Sequence, residues 1–68
     1  MNWLEVTDNK NKRHLINADN VVDVIYHSDT NLSEIVYLRS GIAGVWVNGN
    51  ILTHIKKAFL SGVIRVGD

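Results

Sequence analysis

Leu15-Ile16-Asn17-Ala18-Asp19-Asn20-Val21-Val22-Asp23-Val24-Ile25-Tyr26 is the stretch whose reading decides the fold. Apolar runs flank the polar tetrad Asn17-Ala18-Asp19-Asn20. The runs have the length of strands, and the tetrad has the length of a tight connection. Its Asn and Asp side chains are suited to accept hydrogen bonds from nearby backbone N–H groups. The stretch therefore reads as strand, turn, strand. The second run, Val21 to His27, alternates imperfectly, because Val21, Val22, Val24 and Ile25 are all apolar. A strand covered on both faces gives that pattern, and so does a strand with a bulge. The shortness of the chain favours Val22, Val24 and Tyr26 on the helix side. Val21 and Ile25 then face a second surface that needs cover from another copy.

Toward the N-terminus, Trp3-Leu4-Glu5-Val6-Thr7 alternates and is rich in β-formers. Asp8 to Lys12 is a polar turn, and Arg13-His14-Leu15-Ile16 pairs back on the first strand. Toward the C-terminus, the turn Ser28 to Asn31, extended by Leu32-Ser33, leads into a strand from Glu34 to Arg39. Ser40-Gly41 is a two-residue hairpin turn before a strand from Ile42 to Val47. Gly44 inside that strand marks a bulge or the close approach of another backbone.

After Asn48-Gly49-Asn50 the period changes. Ile51, Leu52, Ile55 and Phe59 form one helical stripe, with Thr53, His54, Lys56 and Lys57 on the opposite face. This predicts a helix over about Gly49 to Ser61, capped by Asn48 or Asn50 and ended by Gly62. Val63-Ile64-Arg65-Val66 reads as an apolar tail or a sixth strand. The expected fold class is α+β: a small antiparallel β-meander of about five strands, with one C-terminal amphipathic helix packed on one face, in a single domain 1–68.

Sixty-eight residues give a thin core, with stability on the order of 3–5 kcal/mol from packing alone. The sequence has no Cys, so neither a disulfide nor a thiolate metal site reinforces it. Lys plus Arg equals Asp plus Glu at seven each. A net charge of zero gives no general attraction to nucleic acid or anionic membranes, and it does little to keep copies apart. No apolar run approaches the ~18–20 residues that span a bilayer. Met1-Asn2-Trp3-Leu4-Glu5 lacks the charged and apolar regions of a signal peptide, so cytoplasmic residence is expected.

Catalytic signals are weak. His14, His27 and His54 lie on two strands and a helix, without the i, i+4 spacing of a helical metal site; a cluster with Asp23 would require a tertiary coincidence. Ser28, Ser33, Ser40 and Ser61 occupy turn or helix-end positions, and no G-x-S-x-G is present. Gly41-Ile42-Ala43-Gly44 lacks the Lys-Ser/Thr end of a phosphate loop. The expectation is a protein that is not an enzyme and that uses no cofactor and no metal.

The aromatic residues are more informative. Phe59 lies on the helical stripe, Tyr26 and Tyr37 lie on neighbouring strands where they could pair, and Trp46 is a candidate anchor for another chain. The candidate interaction surface is Val21, Ile25, Tyr37, Trp46 and Ile64. Lys10, Lys12, Arg13 and Arg39 are candidate nucleic-acid contacts. The basic hairpin is read first as a solvated tip that discourages edge pairing, and nucleic acid is the alternative partner. A third reading has a partner bind the helix face through His54, Lys56 and Lys57.

Ile16-Asn17-Ala18-Asp19 followed by Val21 and Val24, then Asp29-Thr30, Ile35 to Gly41 and Val45 to Phe59, together resemble the small FlbD/SwrD-type flagellar protein family. The likeness covers about two-thirds of the chain. It implies a non-enzymatic accessory role in motility. From the residues themselves the expected role is a small protein-interaction module, a homo-oligomer with a protein partner and without membrane insertion.

Overall fold

The computed structural model describes residues 3–37 and 44–59. The expectations for Arg39, the Ser40-Gly41 turn, the helix end at Ser61 and Gly62, Ile64 and the Val63 to Val66 segment lie outside these residues. The described residues form the α+β arrangement expected: five antiparallel strands followed by one helix.

Strands β1 (Trp3–Thr7) and β2 (Arg13–Asn17) form a hairpin in which Leu4 lies opposite Ile16 and Val6 opposite His14. Strands β3 (Val21–His27), β4 (Leu32–Tyr37) and β5 (Val45–Asn48) form a second sheet in that order. The meander is thus divided into two sheets. The cause is local. Ala18–Asn20 forms one turn of 3₁₀ helix, with Asn17 and Val21 extended on either side. The Asn17 side chain accepts from the Asp19 amide at 3.0 Å, as the tetrad suggested. That turn redirects the chain without the geometry of a tight hairpin, so β2 pairs with β1 and β3 pairs with β4.

The core lies between the two sheets. Ile16, Ile35 and Val45 are buried, and Leu4, Val6, Val21, Tyr37, Val47 and Ile51 pack against them. Strand periodicity explains the selection: Ser33, Ile35 and Tyr37 share the inner face of β4, and register brings Val24 and Val45 opposite Ile35.

A β-bulge between Val21 and Asp23 resolves the imperfect alternation of β3. Val21 pairs with Tyr37, and the next register partner is Asp23 with Val36. The extra residue, Val22, is exposed, and Val21 returns to the inner face beside Val24. This corrects the sequence reading, which paired Val22 with Val24 and Val21 with Ile25. Tyr26 lies opposite Ser33 and Tyr37 opposite Val21, so the two tyrosines do not pair.

Strand β4 starts at Leu32, two residues earlier than expected, because Ser28 to Asn31 completes the turn alone with Asn31 at φ 54. Strand β5 starts at Val45 and runs to Asn48, so Gly44 precedes it rather than lying inside it as expected; the close approach holds all the same, since a Cβ at Gly44 would collide with the Ile35 carbonyl oxygen. Helix α1 spans Leu52–Phe59 and begins later than Gly49, since Gly49 holds φ 85 and is not helical. Asn50 is the capping side chain, accepting from the Leu52 amide at 3.0 Å. Lys56 and Lys57 fall in the last turn, where the helix dipole favours cations.

Candidate interaction surface

Three surfaces carry the residues singled out by sequence. The first is the edge of β3 beside α1. Val21, Val24, Leu52, Ile55 and Leu4 line an apolar groove of ≈ 330 Å³ there, with Asp23 and Lys56 as its charged members. The helix is held over this edge by Ser33. The Ser33 hydroxyl is fully buried, donates to the Gly49 carbonyl at 2.6 Å and accepts from the Ile51 amide at 3.1 Å. The Gly49 amide in turn donates to the Asn31 carbonyl at 2.8 Å. One buried hydroxyl thereby fixes where the helix starts relative to β4. Sequence reasoning assigned Ser33 to a turn; an inward-facing strand position two residues before Ile35 was the signal that could have identified it.

The second surface is the outer face of the three-stranded sheet, where Ile25, Glu34 and Trp46 lie side by side across the register. His27 Nε2 lies 3.2 Å from Glu34 Oε1, and its ring sits 5.1 Å from that of Trp46, tilted by 37°. The Trp46 carbonyl accepts from the Asn9 amide at 2.8 Å, which ties the hairpin tip to β5. A shallow depression over His27, Leu32 and Trp46 is edged by Asn9, Asp29 and Thr30.

The third surface is the hairpin tip. Asp8 Oδ1 accepts from the Lys10 and Lys12 amides at 2.9 Å each, and Asp8 Oδ2 meets His14 Nε2 at 2.7 Å. The His14 contact and the Lys12 amide hold the pKa of the Asp8 carboxyl down to about 2. Asn11 adopts φ 66, the left-handed conformation such a turn requires. Lys10, Lys12 and Arg13 are exposed on this tip.

The predicted surface residues are therefore spread rather than gathered. Val21 and Tyr37 are half-buried against the core, and burial pushes the Tyr37 hydroxyl pKa up. Ile25 and Trp46 share the outer face. The residues that sequence reasoning did not select are Trp3 and Leu15, on the outer face of the hairpin, where they are 51% and 64% exposed. Strand parity alone placed them opposite the inward-facing Leu4 and Ile16, so the signal was present.

Among the described residues no group of His, Cys, Asp or Glu is placed to hold a metal ion, and no helix is long and apolar enough to cross a membrane. No protein-family model, curated protein or solved structure matches the chain.

Proposed function

We propose that this chain is a small interaction module that acts by binding another protein, a second copy of itself included, and performs no chemistry. One observation carries the reading: the described residues bury three apolar side chains, Ile16, Ile35 and Val45, and leave four large ones, Trp3, Leu15, Val22 and Ile25, facing solvent. Singly exposed apolar residues are ordinary, but Trp3 and Leu15 are diagonal neighbours on one hairpin face, and Val22 helps to line an apolar groove. Two of the ionisable clusters, Asp8–His14 and His27–Glu34, are already paired internally. The resemblance to FlbD/SwrD-type proteins supplies the proposed setting, an accessory role in motility, and cytoplasmic residence belongs to the same proposal.

Sedimentation equilibrium from micromolar to millimolar concentration, together with affinity capture from the native host, tests this reading. Concentration-dependent association or a stoichiometric partner is expected. A monomer at every concentration that captures nothing would remove the proposal.

The nucleic-acid alternative rests on the hydrogen-bonded hairpin tip, where Lys10, Lys12 and Arg13 are exposed. It requires retention on RNA or DNA at low salt and a steep loss of binding as salt rises. The zero net charge and the Asp8 carboxylate at the centre of the tip favour the protein reading.

A further inference from the structure

The β3–α1 groove and the outer face of the hairpin are complementary in size and charge. The groove is apolar, with one carboxylate, Asp23, and one ammonium, Lys56, among its lining residues. Its volume of ≈ 330 Å³ is ample for one large aliphatic side chain. The hairpin presents such a side chain: Leu15, the most exposed large apolar residue among those described. Leu15 lies directly opposite Glu5 and two residues from Arg13 on the same strand face, so one acidic and one basic side chain flank it. Asp23, Lys56, Glu5 and Arg13 are all exposed, and among the described residues none has an ion-pair partner within the chain.

We infer that Leu15 of one copy inserts into the β3–α1 groove of a second copy, with Arg13 set against Asp23 and Glu5 against Lys56. This rests on the reading of the chain as a self-associating module, and it names the two surfaces that meet. Net neutrality removes the general repulsion that would oppose the contact, while the two cross-pairs fix its orientation. Knob and groove are different surfaces of one molecule, so the contact is heterologous, and each copy carries one of each.

The test is a set of surface variants that leave the core untouched. Leu15→Lys places a cation opposite Glu5, a pairing the folded hairpin tolerates, and is expected to weaken self-association about ten- to a hundredfold, the loss of one buried leucine. Arg13→Glu and Asp23→Lys alone are each expected to weaken it about two- to fivefold, and the double exchange to recover the wild-type constant. On concentrating the wild type, methyl resonances of Leu15, Leu52 and Ile55 shift together.

If the wild type associates but neither Leu15→Lys nor the charge exchange alters the constant, this pairing is wrong and the interaction-module reading stands. The pairing is equally excluded if the concentration-dependent shifts fall on Ile25 and Trp46 instead. If the wild type stays monomeric to millimolar concentration, the inference fails together with the self-association on which it rests.

Discussion

The hairpin Trp3–Asn17 and the sheet Val21–Asn48 are both antiparallel and both built from apolar strands, yet they are held in place differently. In the hairpin the side-chain contacts are local: one aspartate side chain gathers two backbone amides and a histidine within six residues of itself, and among the described residues a single backbone bond, from the Asn9 amide to the Trp46 carbonyl, reaches the sheet. In the sheet they span the chain. Ser33 holds Gly49 and Ile51, sixteen and eighteen residues away, and β4 packs so closely on the Gly44 backbone that no side chain fits there. The hairpin accordingly spends one face on the core and leaves Trp3 and Leu15 on the other, whereas β4 contributes the two fully buried residues Ile35 and Ser33. The part with local closure is free to present a surface, and the part with long-range closure holds the fold.

The largest test of that contrast compares Ile35 with Leu15. Ile35→Ala leaves a cavity at a fully buried site and is expected to cost about 2–5 kcal/mol, comparable to the whole stability of so small a domain. Leu15→Ala in dilute solution is expected to stay within about 0.5 kcal/mol. Urea titration of both variants reads the difference. Comparable midpoints would mean that the outer face of the hairpin carries the fold as much as the core of the sheet does.

Next come the two polar and backbone devices of the sheet. Ser33→Ala removes the partner of a half-buried carbonyl and a half-buried amide at once, for an expected loss of about 1–3 kcal/mol. The loss should appear first as faster amide exchange at Ile51 and Leu52. Gly44→Ala forces a methyl group against the Ile35 carbonyl, and about 1–3 kcal/mol is expected from overpacking. Gly49→Ala meets no atom within 4 Å and costs only its left-handed conformation, about 1–2 kcal/mol. If Gly49→Ala proved the more damaging of the two, steric closure at Gly44 would not be what holds β4 against β5.

Much of this fold is legible in the chain because its strands obey period two and its turns use Asn, Asp and Gly where positive φ or a side-chain acceptor is required. The hairpin and the limits of β3 follow directly from Trp3–Thr7, Arg13–Ile16 and Val21–His27. Two features could not be read so simply. The division into two sheets depends on a three-residue 3₁₀ turn at Ala18–Asn20, and a tetrad of that composition fits a hairpin loop equally well. The facing of β3 depends on one bulged residue, and a shift of one position exchanges the faces of Val21 and Val22. The interaction residues were harder still. Exposure of an apolar side chain is decided by what covers it in three dimensions, and Tyr37 and Leu15 look alike until the sheets are packed.

The smallest effect belongs to the hairpin and concerns acid. The pKa of the Asp8 carboxyl lies at about 2 in the folded protein against an ordinary value of 3.8, because His14 and the Lys12 amide hydrogen-bond its charged form. The unfolded chain therefore binds this proton more readily than the folded one. The stabilisation is present in full above about 3.8 and declines as pH falls through the folded value. Urea midpoints of wild type and Asp8→Asn, measured at about pH 5, 3.5 and 2.5, should differ most at the highest pH and converge at the lowest. Because the Asp8 side-chain contacts are local, the amides of Lys10 and Lys12 should lose protection over this range while those of Ile35 and Val45 keep theirs. Loss of protection at Ile35 in step with Lys10 would show that the tip and the sheet open as one unit, and the separation between local and long-range closure would collapse with it.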